Sequence, residues 1–201
     1  MPDTLALTMR QALACRSEEL PEVFFHQPDW LAFWQLREHL VDRALSSAAT
    51  RGRSYRDFRV GAAAFVSSKD PDLLRSLGRP PQAIYTGANW KLGQDERNTC
   101  AEQEIVSQLR QQEHLFPPKE ILALVVAGEA QDEPDAESGV YTNTLHPCRH
   151  CRKLLLNVPE MNPSTLVITV NLTNTIQEVR TFEEILQVHG LTFPPRRRSP
   201  S

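Results

Sequence analysis

An α/β layered domain built on a mixed or partly parallel sheet is the fold class predicted by this 201-residue sequence. Three observations predict it. Segments with apolar residues at helical spacing alternate with short apolar segments that read as strands. Residues 121–126 form a continuous run rich in branched side chains, the pattern of a strand buried on both faces. The composition, 40% apolar and 23% charged, suits one globular domain better than two.

Taken in order, residues 1–28 read as an N-terminal extension, 29–193 as the domain and 194–201 as a basic Pro/Arg tail. Asp29 is expected to cap a helix in which Phe33, Trp34, Leu40, Val41, Ala44, Leu45 and Ala48 recur at helical spacing. Residues 58–66 read as a strand, whose Gly61 and small alanines suggest close approach of another element. Residues 67–82, with Pro71, Gly78, Pro80 and Pro81, read as a connecting loop. A strand follows at 83–89 and a turn at 93–98. A helix capped by Asn98 or Thr99 then runs to about Gln111, with Ile105, Val106 and Leu109 inward. After the 121–126 strand comes an acidic loop, 129–139. Pro147 precedes a short helix at 148–156, residues 166–171 read as a central strand, and a last helix at 182–188 ends at Gly190.

Composition also excludes. A net charge of −3 gives no global attraction to a polyanion, so nucleic acid is not an expected partner. No apolar run approaches the roughly 20 residues needed to span a bilayer, and the first 20 residues lack a secretory pattern, so the protein is read as cytoplasmic. Four cysteines are too few for a disulfide scaffold in a chain of this length. Cys15 reads as an incidental thiol, and the other three carry the chemistry.

Cys100 stands two residues before Glu102 at the start of a predicted helix, and Cys148 and Cys151 form a C-x-x-C pair at the start of another. Three sulfur ligands with one open position are what a catalytic zinc ion takes, the fourth position being left for water. A helix N-terminus favours thiolate over thiol. Glu102 is placed to act as general base and then acid without binding the metal. The alternative is a structural zinc in a catalytically silent binding protein, with His146 or His150 as fourth ligand.

The pattern Cys100-Ala101-Glu102 followed by Pro147-Cys148-Arg149-His150-Cys151 matches the zinc deaminase signature with cysteine in place of its histidine. Phe58-Arg59-Val60-Gly61-Ala62-Ala63 resembles the F-x-V-G-A-A strand of the small, homotetrameric, three-cysteine cytidine deaminases. Thr86-Gly87-Ala88-Asn89 is similar to the G-x-N that precedes their zinc helix, and Phe182 to Leu186 with Phe193 resembles their C-terminal helix and its following aromatic. The resemblance spans about residues 35 to 193. It implies a three-layer α/β/α fold with a mixed five-stranded sheet, and assembly as a homotetramer or a dimer. It also implies Zn2+ as cofactor and hydrolytic deamination of a cytosine nucleoside to the uracil form with release of ammonia. Carried over residue by residue, Cys100, Cys148 and Cys151 would bind zinc and Glu102 would shuttle protons to N3 of the ring. Ala101 would belong to the substrate-binding set, Phe58 would pack near the base, Asn89 would contact the sugar and Phe193 would reach a neighbouring subunit's site.

Two departures matter. Where cytidine deaminases commonly hold the sugar with N-x-E, this chain has Asn89-Trp90-Lys91, so an acceptor becomes a cation. Blasticidin-type deaminases also lack that glutamate and act on cytosine nucleosides with an acidic, modified sugar, which suggests an anionic sugar facing Lys91. Many relatives also carry arginine directly after C-A-E, and here the residue is Gln103. Arg97, Arg149, His150 and Arg152 are then the candidates to offset the negative charge of three thiolates.

Overall fold

The computed structural model describes residues 28–54, 57–68, 70–76, 78, 82–93, 98–111, 119–130, 135 and 138–193. The extension before residue 28, the tail from residue 194, Cys15 and Arg97 lie outside them. The elements are α1 (Pro28–Thr50), β1 (Arg53–Ser54), β2 (Gly61–Ser68), α2 (Pro71–Ser76), β3 (Gln82–Ala88) and β4 (Trp90–Lys91). They continue with α3 (Ala101–Gln111), β5 (Lys119–Ala127), α4 (Arg149–Leu156), β6 (Leu166–Val170), β7 (Gln177–Thr181) and α5 (Phe182–Val188).

Five strands form one sheet in the order β3-β2-β5-β6-β7. β2 runs antiparallel to β3 and β5, β6 is parallel to β5, and β7 is antiparallel to β6. The sheet is therefore mixed, as the resemblance implies. Alternation along each strand sends successive side chains to opposite faces. Ala63, Ala123, Val125, Ala127, Leu166 and Ile168 pack under Leu40, Val41 and Ala44 of α1. On the other face Ala62, Ala64, Leu124, Val126 and Val167 meet Ile105, Val106 and Leu109 of α3, Leu155 of α4 and Ile185 and Leu186 of α5. That is the three-layer arrangement. Among the described residues no helix is long and apolar enough to cross a membrane.

Several boundaries differ from expectation for physical reasons. α1 begins at Pro28, so Asp29 lies inside its first turn instead of capping it. The ladder of β2 starts at Gly61 instead of residue 58 because Asn89 intervenes. The Val60 N–H donates to Asn89 Oδ1 at 2.8 Å and the Val60 carbonyl accepts from the Asn89 N–H at 2.9 Å, while the Asn89 carbonyl accepts from Arg53. The segment read as a loop contains α2, which Asp70 caps by accepting from the Leu73 N–H at 3.1 Å, with Pro71 in the first helical position. β7 was not foreseen as a strand: its sequence, QEVRT, is polar because it sits at the sheet edge. An Asn171-centred turn launches it, with the N–H groups of Thr175 and Ile176 both donating to Asn171 Oδ1.

Candidate metal centre and its surroundings

Cys100, not Asn98 or Thr99, opens α3. Its carbonyl accepts from the Glu104 N–H at 3.2 Å, the first bond of the helix, and its own N–H donates to Gln103 Oε1 at 2.7 Å. Thr99 is instead locked to Trp90 by two backbone bonds of 2.8 Å, and Asn98 Nδ2 donates to the Gly93 carbonyl. Cys148 occupies the same capping position of α4 in extended conformation, and its carbonyl accepts from the Arg152 N–H at 2.8 Å. Cys151 follows one turn later and is fully buried. Two helix starts therefore face each other, and the Sγ atoms of Cys100, Cys148 and Cys151 lie within 4.8 Å of one another. Cys100 Sγ and Cys148 Sγ are 3.8 Å apart. Sulfurs at about 2.3 Å from a tetrahedral zinc would be separated by about 3.8 Å, so the donor set fits the ion.

The electrostatics are those of one thiolate shared by three sulfurs. Hydrogen bonds from the Cys100 and Cys151 thiols, with the backbone N–H groups of Cys151 and His150, hold Cys148 far below the usual thiol range. Bonding to Cys148 pushes Cys100 up to about 12, and bonding first to Cys100 and then to Cys148, with burial, raises Cys151 strongly. Glu102, only 4% exposed, is pushed up to about 7, first by burial and then by the negative charge at Cys148. Its own N–H, the Cys151 thiol and the Lys91 ammonium act in the opposite direction.

Among the described residues no histidine or carboxylate joins the three sulfurs within that 4.8 Å. Both ring nitrogens of His146 are committed elsewhere, Nδ1 to His189 Nε2 at 3.1 Å and Nε2 to Glu178 Oε2 at 3.0 Å. His150 Nε2 lies 2.9 Å from Gln103 Nε2. Neither imidazole belongs to the sulfur cluster, and both His146 nitrogens are engaged away from it. Gln103 fastens the start of α3 to His150 on α4. Of the candidates for offsetting thiolate charge, Arg149 is exposed at the surface. Arg152 is buried and turned toward the Pro147 carbonyl and Asp135.

The remaining expected residues are distributed as follows. Ala101 is fully buried beneath Gly87, whose Cα approaches so closely that an added Cβ would lie 2.0 Å from the Ala101 carbonyl oxygen. Phe58 is half-buried against the α3 side of the core, and its carbonyl accepts from Asn89 Nδ2 at 2.7 Å. Asn89, 1% exposed, thereby spends its amide on the backbone of residues 58 and 60. Lys91 is half-buried on the strand beside it. The Phe193 ring packs edge-on against Phe182 at 6.0 Å within its own chain.

Sequence reading gave no role to Asp135 or His189, which lie behind the cysteine pair. A cavity of about 60 Å³ is lined by Asp135, His146, Cys148, Arg152 and His189 among others. Asp135 belongs to the acidic loop and His189 to the end of α5, and no local pattern joins either of them to the cysteine pair. A wider hollow of about 500 Å³, lined by Arg51, Arg53, Trp90, Thr99 and Glu104, lies beside β1 and β4 and holds none of the sulfurs.

No protein-family model and no curated protein matches the chain. Solved structures do. The cytidine deaminase from Burkholderia pseudomallei superposes with a TM-score of 0.51 at 20% identity, over 74% of this chain and 94% of that one. The cytidine deaminases from Mycobacterium leprae and Mycobacterium tuberculosis give TM-scores of 0.46 and identities of 20% and 23%, each over 74% of this chain and over 95% and 92% of their own. The chain has a cytidine-deaminase-like α/β fold.

Proposed function

We propose that this protein is a zinc-dependent hydrolase that converts a cytosine nucleoside or analogue to its uracil form with release of ammonia. The observation that carries the reading is the convergence of three sulfurs within 4.8 Å beside a buried carboxylate. Cys100, Cys148 and Cys151 are the residues that would hold the ion. When bound, zinc supplies Lewis acidity that makes water a nucleophile near neutral pH. Glu102 would do the proton work: its carboxylate would take one proton from the attacking water and pass it to N3 as the oxygen adds at C4, then take the second from the new hydroxyl and pass it to the amino nitrogen, so that the C4–N bond breaks with release of ammonia and C4 keeps the oxygen as a carbonyl. Burial keeps competing water from the carboxylate, and a value raised toward neutrality suits a group that must both take and give a proton. A structural zinc takes four protein ligands. The commitment of both His146 nitrogens, and of His150 to Gln103, counts against the silent binding-protein reading.

The deciding experiment is Glu102→Gln. Ammonia release with cytosine nucleosides should fall about 10³-fold while one zinc per chain is retained. Equal turnover by the variant, or no turnover by the zinc-loaded parent with any cytosine compound, would overturn the reading.

Substrate preference is read from Lys91. Its ammonium acts on Glu102, which puts it near the reacting group, and Asn89 is engaged by the backbone. A cation there favours an anionic or modified sugar over plain ribose, as blasticidin-type deaminases do. Lys91→Glu should shift kcat/KM toward plain cytidine, on the order of tenfold, and lower it for an acidic-sugar nucleoside. Preference of the unaltered enzyme for plain cytidine would sink this part. Homotetrameric assembly in a reducing, cytoplasmic compartment belongs to the same reading, and sedimentation of the zinc-loaded protein tests the assembly.

A further inference from the structure

Arg152, the residue after Cys151, has a guanidinium that is 1% exposed, an expensive place for a charge unless it is well partnered. NH1 donates to the Pro147 carbonyl at 2.8 Å and NH2 to Asp135 Oδ2 at 3.0 Å. Nε is buried without a partner among the described residues, so these two arms hold the group. The Arg152 backbone N–H donates in addition to the Cys148 carbonyl at 2.8 Å. One residue thus fixes the carbonyls on both sides of Cys148, and with them the two peptide planes that aim its side chain. Pro147, with a ring-locked φ, stiffens the first of those planes further.

Asp135 is itself held in place. Its Oδ1 accepts from the Ser138 N–H and from Ser138 Oγ, both at 3.0 Å. Its carbonyl accepts from the Gly139 N–H at 2.8 Å, and its N–H donates to the Val140 carbonyl at 3.0 Å. Gly139 supplies the positive φ, +66°, that closes this turn. Ser138 Oγ also meets His189 Nδ1 at 2.8 Å, which ties the turn to the end of α5.

We propose that Asp135 and Arg152 are positioning residues for the metal centre: the acidic loop supplies a carboxylate that braces the buried guanidinium, and the guanidinium sets the orientation of Cys148. The inference rests on the zinc reading above and gives the loop between β5 and α4 its purpose. The fork geometry of arginine is required, because one lysine ammonium cannot reach a carbonyl and a carboxylate in those two fixed directions.

The test uses the full, zinc-loaded chain and the variants Asp135→Asn and Arg152→Lys. Zinc content is measured first, then the rate of zinc loss to excess EDTA at a temperature where circular dichroism shows each protein folded, then the sulfur-to-metal absorption of the cobalt-substituted forms. Both variants should lose zinc about tenfold faster or more and shift the cobalt band. Folded variants with unchanged release and an unchanged band, differing only in melting temperature, would overturn the inference and leave the zinc reading intact. A parent chain that binds no zinc overturns the zinc reading and this inference with it. Should Arg152→Lys fail to fold, Asp135→Asn, at a partly exposed side chain, decides.

Discussion

Glu178 carries the clearest pH consequence at the scale of single residues. Its hydrogen bond from His146, aided by Arg180 and Thr144 against the opposing effect of burial, lowers it from 4.5 to about 2. A carboxylate depressed in the folded state contributes stability that is complete above about pH 4.5 and is lost as pH falls through about 2. Glu178→Gln should therefore cost on the order of 2 kcal/mol at neutral pH, with urea curves of parent and variant drawing together below pH 4. A gap that persists unchanged to pH 2 would contradict this. Asp135 behaves with the same sign: the Ser138 and Arg152 donors overcome its burial and hold it well below the ordinary carboxylate range. At this scale the sequence was informative where chemistry demands particular atoms at particular spacings, as with Cys100, Glu102, Cys148 and Cys151. It was silent on the His146–His189 contact, because 43 residues separate two groups whose meeting depends on the whole sheet.

At the scale of elements, two glycines set how closely a helix approaches a strand. A Cβ on Gly61 would lie 2.0 Å from the Ala44 carbonyl oxygen and 2.5 Å from the Ala48 nitrogen, so α1 would have to move off β2. A Cβ on Gly87 would meet the Ala101 carbonyl oxygen at 2.0 Å and displace the start of α3. Gly61→Ala and Gly87→Ala should each destabilise by about 3 kcal/mol in chemical denaturation. Only Gly87→Ala should also speed zinc loss, since α3 carries Cys100 at its first turn, and equal release rates for the two would refute that distinction. Long apolar elements were readable in advance: β5, β6 and the α3 face behaved as their side chains required. α2 was not, because six residues bounded by prolines look like a loop until Asp70 is seen capping them. β7 was hidden by its polarity, which an edge position permits.

For the molecule as a whole, the three layers are held by apolar packing, while the cysteine cluster joins only α3 and α4. Zinc should then act as a ligand that binds the native state alone, and its removal by chelator should lower the melting temperature by roughly 5–10 °C. Glu102→Gln should show the same shift, because the carboxylate is not one of the proposed ligands. Absence of any shift in both proteins would mean that the cysteine cluster contributes no binding energy to the fold. The class of fold followed from alternating apolar periodicities. The layering of α1 against the other helices emerged only once the sheet order placed β5 between β2 and β6.

That order has a temporal consequence. Cys100 and Cys148 are 48 residues apart in the chain, and the stretch between them includes the central strand. We expect their two helices to come together only after that strand has been inserted between its neighbours, which would leave an ion nowhere to settle in a half-assembled molecule. During refolding, zinc capture followed by an indicator dye should lag the recovery of helix signal, and its completion would mark the moment at which the middle of the sheet closes.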